Sequence, residues 1–276
     1  KARDVFDDAV RRCREQNVFT YSAASSASRK AGKWKRALRL LKEMRSRGLE
    51  PNVITYSAVI AACEKGKQWE AAVRLLSFMR AKGVEPNVIC FNAAISACGK
   101  CGQWERALRL LSEMRRHGLE PDVISYNAAI SACEKGGQWY RALEVLAEMR
   151  QLGLEPDVIS YSAAISACAR GGQWQQAVAL LGEMQRRGLE PDAISYSAAI
   201  SACETCGEYA RAHEVLKIAL TRGLLRESWK RWPDSIDLHG LAVPVARTVV
   251  RVALAVTRRR VNDPKVADNP RGLTIV

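Results

Sequence analysis

A period of 35 residues runs through the chain and constrains its fold more than any other feature. A fixed period of this length is typical of repeat proteins, in which each copy is one small structural unit. The aromatic residues at this interval are Tyr21, Tyr56, Phe91, Tyr126, Tyr161 and Tyr196, and the prolines are Pro51, Pro86, Pro121, Pro156 and Pro191. The period defines a partial copy, 1–17, and six full copies, 18–52, 53–87, 88–122, 123–157, 158–192 and 193–227.

Within a copy, apolar residues recur at three- and four-residue spacings in two blocks. In the second copy the first block contains Ile54, Val59 and Cys63, and the second contains Trp69 and Met79. This spacing predicts helices rather than strands. Each copy is therefore predicted to be a pair of helices.

Glycine and proline residues mark the ends of the predicted helices. We expect Gly66 to supply backbone freedom for the tight turn between the two helices of the second copy. Gly83 and Pro86 are expected to end the second helix and to set the step to the next copy.

A single helix pair cannot bury both of its apolar faces, so neighbouring copies must stack and share a core. The predicted fold class is all-α: a right-handed α-solenoid of 35-residue helix-turn-helix repeats with a concave face. A short, incomplete α/β segment, 228–276, follows the repeats. No run of eighteen apolar residues occurs, so no membrane span is predicted.

The chain carries a formal net charge of +14, with the excess in the first full copy and beyond Thr221. A basic solenoid suggests a polyanionic partner, although a well-solvated surface explains charge equally well. The chain begins at Lys1 rather than Met, and we expect any targeting peptide to lie upstream.

Nine cysteines raise the question of disulfides or zinc, and the period answers it. Five of them occupy position 11 of their copies, counting from the first residue of each: Cys63, Cys98, Cys133, Cys168 and Cys203. There a small apolar residue packs well on the buried side of the first helix. Packing in a reducing compartment is predicted, with neither a metal site nor a cofactor.

Two polar positions vary between otherwise similar copies, as expected of a surface that reads different letters. Position 5 holds Ser22, Ser57, Asn92, Asn127, Ser162 and Ser197, and position 35 holds Asn52, Asn87, Asp122, Asp157, Asp192 and Glu227. Stacking is expected to bring the two positions to one edge, where they suit hydrogen bonding to a base. Ordinary helix capping explains the same residue types.

Two further series accompany this pair. Position 2 offers apolar surface for packing against bases, from Phe19, Ile54, Ile89, Ile124, Ile159 and Ile194. Position 13 supplies one cation per copy, as phosphate binding would require, from Lys30, Lys65, Lys100, Lys135 and Arg170. A cation that stabilises a helix C-terminus is the alternative for position 13.

The fourth copy begins with the motif Val-Ile-Ser-Tyr-Asn-Ala-Ala-Ile-Ser-Ala-Cys from Val123, followed by Trp139, Glu148-Met149-Arg150 and Gly153-Leu154-Glu155-Pro156-Asp157. This pattern resembles the pentatricopeptide repeat of organellar RNA-binding proteins. The resemblance covers residues 1 to 227. The tetratricopeptide repeat is one residue shorter, and its Trp-Leu-Gly-Tyr signature is missing.

The resemblance implies single-stranded RNA as the partner, with one base per repeat chosen by positions 5 and 35 and the protein N-terminus toward the RNA 5′ end. Ser22 with Asn52, and Ser57 with Asn87, would favour A. Asn92 with Asp122, and Asn127 with Asp157, would favour U. Ser162 with Asp192 would favour G, whereas Ser197 with Glu227 departs from the usual pairs. The expected site resembles 5′-AAUUG-3′.

Beyond Leu225 the period is lost. A helix is predicted from Pro244 to Arg258, a loop over 262–269 and a strand from Leu273 to Val276. The motif Asp237-Leu238-His239-Gly240 resembles the opening of the Smr domain, which is associated with nucleic-acid cleavage. Asp237 and His239 are candidate catalytic residues on that basis, and a structural turn explains them as well.

Three functions are consistent with these features. The leading hypothesis is a binding protein in organellar RNA processing, stability, editing or translation, located in a chloroplast or mitochondrion, as the resemblance implies. The second is an RNA endonuclease whose repeats select the site and whose completed Smr-like domain cuts it. The third is a protein-binding helical scaffold; protein partners in RNA processing also fit the first hypothesis.

Overall fold

The computed structural model describes residues 17–30, 32–224, 235–261 and 274–275. The helices of the six copies are, in chain order, α1 (Val18–Lys30), α2 (Trp34–Ser46), α3 (Val53–Lys65), α4 (Trp69–Ala81), α5 (Val88–Lys100), α6 (Trp104–Arg116), α7 (Val123–Lys135), α8 (Trp139–Gln151), α9 (Val158–Arg170), α10 (Trp174–Arg186), α11 (Ala193–Thr205) and α12 (Tyr209–Thr221). Odd numbers are therefore first helices and even numbers second helices. Strand β1 (Ser235–Ile236), helix α13 (Val243–Val261) and strand β2 (Thr274–Ile275) follow.

The chain divides into two compact units, 1–136 with 151–154, and 137–150 with 155–276. In the first unit, α1, α3, α5 and α7 pack side by side in that order, and each second helix also contacts the next first helix. In the second unit, α9 packs against α11, and α10 contacts both. These stacked helix pairs confirm the predicted all-α solenoid class. The predicted boundary at residues 227 and 228, with Glu227 itself, lies outside the described residues.

Large side chains from both helices of a copy form its core. In the second copy Tyr56, Ile60, Leu76 and Met79 are almost completely buried. The five cysteines at position 11 have no exposed surface, which confirms that they pack in the core. Burial raises the pKa of the Cys63, Cys98, Cys168 and Cys203 thiols to about 11, so these groups stay protonated at neutral pH.

The prediction that Gly66 supplies backbone freedom for a tight turn is wrong. Its φ is −79°, a value open to any residue, and the left-handed conformation falls one residue later, at Lys67 with φ +54°. Gly66 is instead required by close packing, because a Cβ there would overlap the Trp34 ring of the preceding copy. Gly136 with Trp104, and Gly171 with Trp139, repeat the arrangement.

The C-terminal helix α13 packs against α11 and α12, so it covers the last helix pair of the second unit. Val245 and Val249 are buried in this contact. Glu204 is also buried, and its Oε2 atom accepts hydrogen bonds from Thr248 Oγ1 at 3.0 Å and from Arg251 Nη1 at 2.8 Å. Pairing compensates for removal of this carboxylate from water.

The elements of the C-terminal segment resemble the predicted ones. Helix α13 includes the predicted helix, and β2 falls within the predicted strand and pairs in parallel with β1. The predicted loop over 262–269 lies outside the described residues. Across the described parts of the chain, no helix combines the length and apolar character needed to span a membrane.

We expect Gly171→Ala to lower the free energy of unfolding by about 1–3 kcal/mol, because the new Cβ must displace the Trp139 ring. Gly182→Ala, in the adjacent helix α10, is the matched control. A Cβ at Gly182 meets no atom within 4 Å, so it should be neutral or stabilise by up to about 1 kcal/mol. Urea unfolding followed by circular dichroism measures both, and equal effects would contradict the packing role.

Candidate nucleic-acid interface

One apolar side chain per copy stands exposed at position 2. The exposed fractions are 78% for Phe19 and 60–64% for the five isoleucines, Ile54, Ile89, Ile124, Ile159 and Ile194. Position 2 lies one helical turn before position 5, so the apolar side chain and the variable polar one share a face of the first helix. Its regular exposure makes position 2 a candidate contact for a ligand, because an exposed side chain contributes little to the packing of its own copy.

The residues of position 35 cap the first helix of the following copy. Each of Asn52, Asn87, Asp122, Asp157 and Asp192 accepts a hydrogen bond from the backbone N–H three residues later. The distances run from 2.8 to 3.0 Å, and the acceptor in every case is Oδ1. The capping explanation left open by the sequence is therefore correct, and it fixes where these side chains lie.

Position 5 comes within hydrogen-bonding distance of position 35 at the edge of two stacked first helices. Asn92 Nδ2 donates to Asp122 Oδ1 at 3.0 Å in the first unit. Ser162 Oγ lies 3.5 Å from Asp192 Oδ1 in the second, and the nearer acceptor of its proton is the Val158 carbonyl at 2.7 Å. The structure thus brings together the two residues of a predicted pair.

A third residue, at position 3 of the following copy, lies between these two. Thr55 Oγ1 is 2.7 Å from Ser22 Oγ and donates to Asn52 Oδ1 at 3.0 Å. Ser195 Oγ is 2.7 Å from Ser162 Oγ and donates to Asp192 Oδ1 at 2.7 Å. Ser125 Oγ likewise lies within hydrogen-bonding distance of Asn92 Oδ1 and Asp122 Oδ1, which share its one proton. Sequence reasoning missed position 3, although a Ser or Thr three residues after an N-cap is a recognisable capping signal.

Ser57 is placed differently from the other position-5 residues. Its hydroxyl donates to the Ile54 carbonyl of its own helix at 3.0 Å. The residue at position 3 of the following copy is Cys90, which is completely buried. Of the remaining position-5 residues, Asn127 is 9% exposed and Ser197 is partly buried.

The position-13 residues all lie in the last turn of a first helix, and all are exposed. Lys100 Nζ lies 2.8 Å from Glu64 Oε1 on the preceding first helix, so this cation is already paired. Lys30, Lys65, Lys135 and Arg170 share its location. The placement suits both of the explanations that the sequence left open, a helix-end cation and a phosphate contact.

The two catalytic candidates contact each other in an exposed turn after β1. Asp237 Oδ1 accepts from the His239 backbone N–H at 2.9 Å and lies 2.8 Å from His239 Nδ1. Both side chains are more than half exposed. Within the described residues, no three His, Cys, Asp or Glu side chains are grouped as a metal site requires.

Sequence models of repeat families match most of the six copies. A model described as the PPR repeat family matches residues 86–135, 121–170 and 159–205. One described as the pentatricopeptide repeat domain matches 4–66 and 60–101. The chain belongs to the pentatricopeptide repeat family.

Solved pentatricopeptide repeat structures share the fold. The pentatricopeptide repeat protein PPR10 from maize gives a TM-score of 0.56 at 21% identity over 93% of this chain and 39% of PPR10. PPR10 in complex with an 18-nucleotide psaJ RNA element gives 0.55 at 21% identity, over 93% and 40%. The PPR domain of Arabidopsis thaliana protein-only RNase P 1, in complex with tRNA, gives 0.55 at 14% identity, over 71% and 95%.

The chain spans about two fifths of the length of PPR10, and the identities are low enough that the likeness concerns the fold alone. No curated protein sequence matches the chain significantly.

Hydrogen bonding changes the acidity of one capping residue. Burial alone would raise the pKa of the Asp122 carboxyl above its usual value of 3.8. Donors from the backbone and side chain of Ser125 and from Asn92 outweigh burial and lower the pKa instead. The charged form of Asp122 is thus favoured in the folded protein.

We expect Asp122→Asn to reduce stability by about 0.3–1 kcal/mol at neutral pH and low ionic strength, because the helix N-terminus favours a negative charge. The contribution of Asp122 is present above pH 3.8 and is lost as the pH falls through the lower folded-state pKa. The difference between the proteins should therefore vanish in acid. Urea unfolding between pH 2.5 and 7 measures it. Glu120→Gln, an exposed carboxylate nearby, is the control, and a difference independent of pH would contradict the assignment.

Proposed function

We propose that this chain binds single-stranded RNA, with one base read by each repeat. The observation that carries the proposal is the exposed apolar row at position 2 beside the hydrogen-bonded pair formed by positions 5 and 35. An apolar side chain packs on the face of any base, whereas a polar pair at its edge selects among bases. The RNA complexes of related repeat folds support the same assignment.

The hydrogen-bonding groups at position 35 support the base preferences that the sequence predicts. The caps use Oδ1, so the second side-chain atom is the one that can meet a base. In Asn52 that atom is the donor Nδ2, which suits the N1 acceptor of adenine. In Asp192 it is the acceptor Oδ2, which suits the N1–H and N2–H donors of guanine. Asp122 suits the N3–H donor of uracil in the same way.

Charge supports a polyanionic ligand. The net charge of +14 attracts phosphates, and exposed cations at position 13 supply contacts near each first-helix end. Because Lys100 is already paired with Glu64, a phosphate there must compete with a carboxylate. Strong weakening of binding by salt separates this function from a protein-binding scaffold, for which no such dependence is expected.

The place and purpose of binding follow from family resemblance. We infer action on an organellar transcript, in its processing, stability, editing or translation, within a chloroplast or mitochondrion. Sequencing of RNA that copurifies with the tagged full-length protein from isolated organelles tests this inference. Recovery of the protein only from the cytosol would overturn it.

A second candidate is site-selective RNA cleavage by an Smr-like domain. It rests on the exposed contact between Asp237 and His239 after β1, a placement that allows acid–base work on a phosphodiester. Labelled RNA incubated with this chain, and with a C-terminally extended one, decides between the candidates. Cleavage lost in Asp237→Ala supports the endonuclease, and intact RNA in both reactions supports binding alone.

We expect the chain to prefer RNA containing 5′-AAUUG-3′ over permuted sequences. Exchanging the AA and UU blocks places the wrong base at four repeats. At each of them, hydrogen-bonding groups of the base and of positions 5 and 35 are left without partners. At about 0.5–1.5 kcal/mol for each unmade bond, the exchange should weaken binding by at least about thirtyfold. Fluorescence anisotropy with labelled RNAs at fixed salt measures it. Equal affinity for the two RNAs would refute the base preferences assigned to these repeats.

We expect Ile124→Ser to weaken binding of the matched RNA by about fivefold, because a base at that repeat loses its apolar support. The affinity should fall equally for permuted RNAs, since packing does not depend on base identity. Leu254→Ser is the matched control: Leu254 is exposed to a similar extent, at 54%, but lies on α13, which follows the repeats in the chain. Equal losses in the two variants would contradict a specific role for position 2.

A further inference from the structure

The side chain at position 3 is the feature that differs between two otherwise equivalent reading pairs. Ser22 with Asn52, and Ser57 with Asn87, have the same residues at positions 5 and 35. The residue between the first pair is Thr55, and the residue between the second is Cys90. The chain therefore contains two pairs of identical composition in different surroundings.

Thr55 links the first pair through its hydroxyl. The Ser22 hydroxyl, 7% exposed, lies 2.7 Å from Thr55 Oγ1 and 2.8 Å from the Val18 carbonyl oxygen, and its one proton is shared between these two acceptors. Thr55 Oγ1 donates in turn to Asn52 Oδ1 at 3.0 Å, and Thr55 N donates to the same oxygen. Both bonds engage Asn52 Oδ1, so Nδ2 is the side-chain atom of Asn52 that can donate to a ligand.

Cys90 does not make the corresponding link. A thiol is a weak hydrogen-bond donor and acceptor, and this one is fully buried. Ser57 instead turns to the Ile54 carbonyl, three residues earlier, and Asn87 Oδ1 accepts from Cys90 N at 3.0 Å. The cap survives, but the hydroxyl chain that joins position 5 to position 35 is broken at this junction.

The serine junctions indicate that the link depends on the hydroxyl rather than on threonine itself. Ser195 joins Ser162 to Asp192, and Ser125 joins Asn92 to Asp122. A pair whose rotamers are fixed in advance opposes a wrong base more strongly, because it cannot turn to satisfy that base.

We propose that the side chain at position 3 is a positioning residue that sets how strictly each repeat discriminates between bases, and that Cys90 leaves the Ser57–Asn87 pair loosely discriminating. The proposal rests on the proposed function, since it concerns the accuracy of RNA reading. The nucleotide facing Ser22 and Asn52 is then read strictly, and the next one loosely, although both pairs favour A.

Two substitutions exchange the behaviour of the two repeats. Cys90→Ser adds a hydroxyl with little change of volume, and Thr55→Val removes one while keeping the branched shape. Affinity is measured for 5′-AAUUG-3′ and for RNAs with A changed to U at the first or the second nucleotide. The discrimination ratio at each nucleotide is the affinity for A divided by the affinity for U.

In the unmodified chain we expect a ratio at the first nucleotide about two- to tenfold larger than at the second, the range that one net hydrogen bond provides. Cys90→Ser should raise the second ratio to the level of the first. Thr55→Val should lower the first ratio, and Thr55→Ser should preserve it. Only one nucleotide should respond in each variant, whereas general destabilisation would affect both.

Each outcome decides between the two ideas. Thermal unfolding first establishes that the variants are folded at the assay temperature. Clear base preferences that do not change in Cys90→Ser and Thr55→Val, or equal ratios in the unmodified chain, overturn the role of position 3 and leave RNA reading intact. A chain without preference at either nucleotide overturns the proposed function and this inference with it.

Discussion

The bond from a position-35 side chain to the third backbone N–H of the next first helix is the constraint on which the candidate interface depends. A helix start leaves backbone donors without partners, and Asn or Asp satisfies one of them. Because Asn52, Asn87, Asp122, Asp157 and Asp192 all use Oδ1, each side chain is held in one orientation. For Asn52, Asp122 and Asp192, capping is thus compatible with base recognition, since the cap uses Oδ1 and the second side-chain atom can meet a ligand.

Side-chain contacts also join the second helices to the following copies. Arg150 donates to the Tyr161 hydroxyl and pairs with Glu183 at 3.0 Å, which links α8, α9 and α10 within the second unit. Where Phe78 replaces the glutamate, the Arg45 guanidinium lies over its ring at 4.4 Å instead. Under the proposed function, side chains placed in advance by such contacts would lower the conformational cost of binding RNA.

The sequence predicted the features that recur every 35 residues, namely the helix pairs and the buried positions. It did not predict contacts whose two partners lie on neighbouring copies. Spacing alone sufficed for the helix pairs and for buried Cys63, since both follow from one helix face. The reason for Gly66 was missed because Trp34, which it accommodates, lies 32 residues earlier in the chain. The pairing of Lys100 with Glu64, and the bridging by Thr55, likewise arise only once first helices stack.

Affinity and discrimination then have separate physical sources in these repeats. Under the proposed function, the isoleucines at position 2 and the net positive charge would act on every base and every phosphate alike, so they would favour binding without selecting a sequence. Base selection is a difference between the affinities for two bases. It would depend on how strongly the polar pair at positions 5 and 35 disfavours the edge of the wrong base. On the same proposal, a junction such as the one at Cys90 would relax recognition of one base while Ile54 and Ile89 kept the strand bound. Position 3 would then allow a repeat protein to tolerate variation at one nucleotide without losing overall affinity for the RNA.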